Sequence, residues 1–315
     1  MKIVGLLPNF AIQIQQIRFQ FPTSSLILAR FITNMTDYIL RIDCPDEKGL
    51  VHKITGVLFF NNLNVERTDE FVETEKNQFF MRVAFSGNCD PEKIEDGLRG
   101  ILPNSANINL SKKEIKDVVI LVTKEHHCIS DLLARNEFKD LPINILAVIG
   151  NHDILRSLTE RFNIPFHYIP AKGTDDAARL EHEAQIHEVL LQYSFDYLVL
   201  AKFMRVLTPD FTKRYAGKTI NIHHSFLPAF IGANPYRQAY ERGVKIIGAT
   251  AHFVTDDLDE GPIIFQDVIS VNHTKTAVEM AAAGRDVEKI VLAKALKLVL
   301  EDRVFIAGNK TVIFE

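Results

Sequence analysis

The feature that most constrains this chain is a change in the period of its apolar residues between about positions 111 and 118. Beyond that point come short, nearly continuous apolar runs: Val118-Val-Ile-Leu-Val122, Ile143-Asn-Ile-Leu-Ala-Val-Ile149 and Tyr197-Leu-Val-Leu-Ala201. A strand with one solvated face alternates apolar and polar residues. A strand covered on both faces does not, and crossover helices cover both faces of a parallel sheet. Helical patterns at 128–138, 154–162 and 175–193 separate these runs. Successive βα units of this kind predict an α/β, doubly wound, mostly parallel sheet over 113–315. A long helix is expected at 276–303. The last residues, 304–315, read as a hairpin turning at Gly308-Asn309.

Ahead of the change the period is different. Residues 38–44 read as a strand, stopped by Pro45-Asp-Glu-Lys-Gly49. Leu50, Ile54, Val57 and Leu58 recur at helical spacing over 50–60. Two strands are expected at 64–73 and 79–86, around Glu75-Lys76-Asn77. In the second, Met81, Val83 and Phe85 alternate with Phe80, Arg82 and Ala84, the pattern of a sheet with one buried face. A helix near 91–102 and a strand near 106–111 complete a βαββαβ order, a ferredoxin-like unit over 37–112. The polar stretch Ser111-Lys-Lys-Glu114 reads as the linker.

Composition excludes several classes. Lys and Arg total 36 against 40 Asp and Glu, so the net charge is −4, without the basic excess of a nucleic-acid binder. No run approaches the roughly 18 apolar residues that a membrane span needs. Cys44, Cys89 and Cys128 are too few and too scattered for a disulfide scaffold and suit a reducing cytoplasm. The first residues stand apart. Residues 1–34 hold Lys2, Arg18 and Arg30 but no acid, so the remainder has 33 basic residues against 40 acids, a charge of −7. Residues 1–36 therefore read as an N-terminal extension, with two origins open: an organellar presequence, or upstream sequence ahead of a start at Met35.

Two apparent metal motifs fail on geometry. His182 and His187 are five residues apart, about 140° around a helix, and cannot share one ion, so a solvated face is expected there. His126-His127-Cys128 offers ligands with no second cluster evident to complete a site. The 113–315 region also lacks any glycine-rich phosphate loop. The informative segment is Asn221-Ile-His-His-Ser-Phe-Leu-Pro228, which begins as a β-run and carries Asn221, His223, His224 and Ser225. In an open parallel sheet, ligands bind beyond the carboxyl ends of the strands, where this cluster would lie. Downstream, Gly248-Ala-Thr-Ala-His-Phe-Val254 runs into the acidic turn Thr255-Asp-Asp-Leu-Asp-Glu-Gly261. Its crowded carboxylates repel unless a cation or a protonated group answers them. From chemistry alone, strand-end residues bonding to backbone and a solvated acidic turn stay equally open.

These segments, with Pro262 after the turn, resemble the folate-dependent formyltransferase family over 118–315. The first unit, with Asp43-Cys-Pro-Asp-Glu-Lys-Gly49, resembles an ACT domain, a small regulatory module that often binds amino acids. The two together resemble the hydrolytic branch of that family, which releases formate from 10-formyltetrahydrofolate. The resemblance implies a supply of formate for purine biosynthesis and a balancing of one-carbon folate pools. It implies a catalytic trio at Asn221, His223 and Asp259. Asn221 and a protonated His223 would stabilise the oxyanion formed when water attacks the formyl carbon, and Asp259 would hold the imidazolium and orient or deprotonate the water. No metal and no cofactor is required. The resemblance further implies substrate contacts at Met204, Arg205, Val206, Leu207, Thr255 and Asp256, and secondary roles for His224, Ser225 and His252. By itself His252, on an apolar strand, reads as a satisfied core histidine. Arg237 reads as an exposed helix arginine, with the folate glutamate tail as its other candidate partner. An amino-acid effector is expected at Asp46 and Gly49, and the side-by-side pairing of ACT modules implies a homo-oligomer.

Three functions compete: a hydrolase with water as acceptor, a transferase to glycinamide ribonucleotide or initiator methionyl-tRNA, and a non-catalytic regulatory binding protein. The ribonucleotide enzyme carries a Gly/Ser-rich loop after its first strand; here that place reads Thr123-Lys-Glu-His-His-Cys-Ile-Ser130. The tRNA enzyme adds a basic domain after the catalytic one, whereas this chain stops at Glu315. An intact Asn221, His223 and Asp259 count against the regulatory reading. Hydrolase is the expectation.

Overall fold

The computed structural model describes residues 36–173, 175–229 and 234–315. The reading of 1–34 lies outside the described residues. The first unit is a four-stranded antiparallel sheet of β1 (Thr36–Pro45), β2 (Asn64–Glu73), β3 (Gln78–Gly87) and β4 (Asn107–Lys112), in the order β2-β3-β1-β4. One face is covered by α1 (Leu50–Phe60) and α2 (Pro91–Arg99). Gly49, at φ 89°, makes the left-handed turn into α1, whose Leu50, Ile54 and Leu58 are buried against Met81, Val83 and Phe85. The linker is shorter than the sequence predicts. Ser111 and Lys112 belong to β4, opposite Ile39 and Tyr38, because pairing with β1 outweighs their polarity.

The alternation in β3 misleads in one respect. Phe80 and Arg82, on the supposedly solvated face, are also buried. The C-terminal hairpin, β12 (Val304–Ala307) and β13 (Lys310–Ile313), lies across that face. Phe80 meets Phe305 edge-on at 5.6 Å between centroids, and Phe305 meets Phe314. Arg82 donates to the carbonyls of Asp302 (3.1 Å) and Glu301 (3.0 Å), and Arg41 to that of Val304 (2.6 Å). The outer face of the first sheet is thus an interface with the end of the chain, and the local pattern cannot reveal a partner more than two hundred residues away.

The second unit is a seven-stranded sheet in the order β11-β10-β9-β8-β5-β6-β7. Its strands are β5 (Lys116–Val122), β6 (Ile143–Gly150), β7 (Phe166–Tyr168), β8 (Tyr197–Leu200), β9 (Thr219–His223), β10 (Ile246–Phe253) and β11 (Ile263–Ser270). The first five are parallel, and β10 pairs antiparallel with both β9 and β11, so that β11 points the same way as the first five. Helices α3 (His127–Glu137), α4 (Arg156–Glu160), α5 (Asp176–Leu190), α6 (Pro209–Arg214), α7 (Pro235–Arg242) and α8 (Ala277–Leu300) join or cover the strands. Val118, Ile120 and Val122 pack with α3 and α8; Val119 and Leu121 pack with α5 and α6. Helices on both faces account for the continuous apolar runs. The strand order reverses between β5 and β8, and the crevice at the carboxyl ends of β8 and β9 is where such sheets bind ligands. No helix of the described residues is long and apolar enough to cross a membrane.

Candidate active site

Strand β9 ends at His223, with Asn221 two residues earlier and therefore on the same face. The antiparallel neighbour β10 places His252 opposite Asn221 and Thr250 opposite His223. The acidic turn then doubles back. Gly261 is pressed so closely against β10 that a Cβ there would stand 1.8 Å from the Phe253 carbonyl oxygen. This close approach returns Asp259, itself at φ 58°, to the strand ends. Asp259 Oδ1 lies 3.3 Å from His223 Nδ1 and 3.7 Å from His252 Nε2. Burial pushes the Asp259 carboxyl up, but His223, His252 and His224 outweigh it and hold it below the usual carboxylate range. The buried end of the acidic turn therefore faces the imidazoles of His223 and His252. Asp256, on its exposed side, is answered by Thr212 at 2.5 Å and Lys213 at 3.4 Å.

The polar atoms can be assigned in turn. His252 Nδ1 donates to the Phe253 carbonyl at 2.9 Å, so the ring's Nε2 is the acceptor and takes a hydrogen bond from the Asn221 amide at 3.2 Å. Burial holds His252 below its ordinary value and keeps it neutral. His252 is thus both a satisfied core residue, as its strand position suggests, and part of the cavity wall. His223 commits Nδ1–H to Asp259, while its Nε2 is buried with no partner among the described residues. These groups line a cavity of about 310 Å³. Met204, Arg205, Val206, Leu207, Thr255 and Asp256 line it too. The loop after β8 is anchored by Met204 N–H on the Thr123 hydroxyl (2.9 Å) and by Arg205 on the Gly173 carbonyl (2.8 Å). A larger cleft, about 680 Å³, lies between the two units and holds none of these residues.

Beneath the cavity is a cluster that sequence reasoning missed. Lys202, at φ 61°, donates to His224 Nδ1 at 2.8 Å and lies 3.1 Å from Glu288 of α8. Glu288 also takes His127 Nε2 (2.8 Å) and the Tyr236 hydroxyl (2.6 Å). Burial raises Glu288, but the His127 bond, the Lys202 ammonium and the Tyr236 hydroxyl outweigh it and bring it to about 2. His127, Cys128 and Glu288 lie within 4.8 Å of one another, so the second partner that the sequence did not show comes from α8. Both oxygens of that carboxylate are already engaged by donors of the protein, and burial among acids pushes the Cys128 thiol well up, leaving it a poor ligand. Gly284 makes room for Tyr236, whose hydroxyl would lie 2.1 Å from a Cβ there. The available signals were weak: a lysine just after an apolar strand, and an acid on the apolar stripe of a long helix.

Other readings change. Ser225 turns away from the cavity: its hydroxyl donates to the Ala229 carbonyl at 2.7 Å, and its own carbonyl accepts from Thr250. The His182 and His187 face is not solvated. His182 is buried and bonds the Ile169 carbonyl at 2.9 Å, and half-buried His187 meets the hydroxyl of Tyr215, at the end of α6, at 2.7 Å. Arg237 is exposed and pairs with Glu241 at 2.9 Å. Asp46 and Gly49 lie in the first unit, in the turn between β1 and α1, away from this cavity.

Residues 116–296 match the family model described as "Formyl transferase". The chain is 53% identical over 275 residues to a formyltetrahydrofolate deformylase of Haemophilus influenzae, covering 87% of this chain and 98% of that protein. A crystal structure of a formyltetrahydrofolate deformylase from Pseudomonas syringae pv. tomato superposes with a TM-score of 0.84 at 37% identity, over 92% of this chain and 98% of that one. A glycinamide ribonucleotide transformylase from Symbiobacterium toebii superposes with a TM-score of 0.60 at 28% identity, over 66% of this chain and 98% of its own.

Proposed function

Because the chain belongs to the formyltetrahydrofolate deformylases, within the formyl transferase family, we propose that its cavity binds 10-formyltetrahydrofolate and hydrolyses it to formate and tetrahydrofolate. The single observation that carries the roles is the placement of His223: Nδ1 faces Asp259 at 3.3 Å, and Nε2 is buried at the cavity wall with no partner among the described residues. A water oxygen bonds to the formyl carbon, and the carbonyl electron pair moves onto its oxygen. Protonated His223 donates from Nε2 to that oxyanion, and the Asn221 amide supplies a second N–H, its first being held by His252. Asp259 holds the imidazolium and takes the proton from the attacking water. The oxyanion's electron pair then re-forms the carbonyl as the C–N bond breaks, the proton passes from Asp259 to the departing nitrogen, and the released formic acid gives its remaining proton to solvent to become formate. Every step uses side chains alone, with no cofactor.

Met204, Arg205, Val206 and Leu207 hold the pterin end, and Thr255 and Asp256 line its other side. Residues 37–112 act as an ACT module with an amino-acid effector near Asp46 and Gly49, and the enzyme is a cytoplasmic homo-oligomer. The formate supplies purine synthesis and balances the one-carbon folate pools. The loop after β5, Thr123-Lys-Glu-His126, offers no glycine cradle for a ribonucleotide phosphate, which favours water over an amine acceptor. The test is incubation with 10-formyltetrahydrofolate alone. Formate should appear, and His223→Ala and Asp259→Asn should each lose on the order of a hundredfold in rate while staying folded. Formate formed only when an amine acceptor is added overturns the reading.

A further inference from the structure

We infer that Lys202 and Glu288 are positioning residues: their buried ion pair fixes His224, the ring stacked on His223, as a neutral imidazole with its proton on Nε2. This rests on the reading of His223 as the proton-bearing group of the reaction.

An ammonium has donors and no acceptor, so Lys202, at 2.8 Å, dictates that His224 Nδ1 accepts. The remaining proton of a neutral His224 then sits on Nε2. The side chains of Lys202 and Glu288 are only 7% and 1% exposed, so neither charge is screened by solvent and neither is free to swing away. Glu288 is held from three elements: His127 of α3, Tyr236 of α7 and Lys202 after β8. His224 in turn lies flat on His223, with centroids 5.0 Å apart and planes within 13°.

The charged and titratable groups around His224 are Lys202 from the loop after β8, His223 from β9, Glu288 from α8 and Asp259 from the acidic turn, with the Tyr236 ring of α7 alongside. Burial, Lys202 and His223 disfavour a charge on His224 and outweigh Glu288 and Asp259, bringing it down to about 4. Two stacked imidazoles free to share a proton would titrate as a pair, and the reactive ring would carry it only part of the time. Asp259 faces His223 and Lys202 faces His224, so the asymmetry is set by two different elements, the acidic turn and the loop after β8.

The test is ¹⁵N NMR of histidine side chains in the full-length protein, with the His224 signals assigned by their loss in His224→Gln. At pH 7 His224 should show the Nε2–H tautomer, and it should remain neutral at pH 5. In Lys202→Met its titration should move up by more than one pH unit, with the acid limb of kcat moving too. That variant should lose about tenfold in kcat with KM within twofold, since a misoriented group costs rate more than binding. Lys202→Arg, which keeps the cation and the donor, should restore the Nε2–H signature. An Nδ1–H tautomer in the wild type, or an imidazolium at pH 6, overturns the inference without recourse to any variant. So does a Lys202→Met protein whose tautomer and pH profile match the wild type. The tautomer is read in the resting protein, so a protein that releases no formate fails the proposed function while this result still stands or falls alone.

Discussion

Gly261→Ala tests whether the placement of Asp259, rather than its mere presence, drives the reaction. The added methyl would stand 1.8 Å from the Phe253 carbonyl oxygen and 3.0 Å from its carbon, and those atoms are strand backbone that cannot rotate away. Phe253 N–H is bonded to the Pro262 carbonyl at 2.9 Å, so β10 and the turn are tied together one residue beyond the clash. The turn must therefore retreat by about 1.2 Å to reach even a 3.0 Å contact. Asp259, only 3.3 Å from His223 at the outset, then leaves hydrogen-bond range. Misplacement of a reacting group by about 1 Å costs on the order of a hundredfold in rate. The crowding itself should cost about 1–3 kcal/mol of stability. The assay pairs formate release with thermal unfolding, for Gly261→Ala, Asp259→Asn and the double variant. Both changes sever one contact, so the double variant should be no slower than Asp259→Asn alone. Gly261→Ala turning over within about threefold of wild type would refute the reasoning, as would a double variant whose losses multiply.

Acid should weaken the fold through His224. Its folded value of about 4 lies below the unfolded value near 6.5, so between those pH values the unfolded chain binds more protons and stability falls with falling pH, by about 3 kcal/mol at pH 4. Glu288 adds a second loss lower down: its folded value of about 2 lies below its ordinary value of 4.5, so its contribution is present above 4.5 and disappears as pH falls through about 2. Urea unfolding of wild type and His224→Gln from pH 7 to 4 should give a steeper wild-type curve, and parallel curves would remove His224 from the account. Phe305→Ala opens the contact with Phe80 and Phe314, and a buried Phe→Ala change costs about 3–5 kcal/mol. Calorimetry should then resolve two transitions, the first unit melting ahead of the second; a single transition within a few degrees of wild type would show that the hairpin is not the clamp.

What could be read from sequence follows the range over which the physics acts. The parallel strands were legible because burial on both faces is written into each strand, and the polar cluster of Asn221 and His223 was legible because both lie at one strand end, whereas Asp259 was joined to them only by the family resemblance. The missed strand β7 is three residues long, too short for any period. Antiparallel β11 carries Gln266 and Asp267 among its apolar residues, one of which bonds back to the Leu227 carbonyl. The solvated-face reading of His182 failed because an imidazole can be buried once a carbonyl such as that of Ile169 meets it, and the sequence does not say where that carbonyl will be.

The buried charges show why the histidine pair and the ion pair belong to one design. Lys202 and Glu288 cancel each other. Asp259 is then left as the one uncancelled charge beside two stacked imidazoles and a neutral His252. An unpaired buried carboxylate is costly, and the His223 imidazole faces it at 3.3 Å. An imidazolium at His224 would put a positive charge against Lys202. The proposed mechanism therefore places its one proton on His223, whose Nε2 meets the cavity without a partner among the described residues. Changing Glu288 to glutamine would leave Lys202 as an unanswered cation, and protonation of the stack beside it should become harder. The acid limb of the rate should then move to lower pH in Glu288→Gln, opposite in direction to Lys202→Met. Shifts of the same sign in the two variants would mean that the pair supports the site by packing alone.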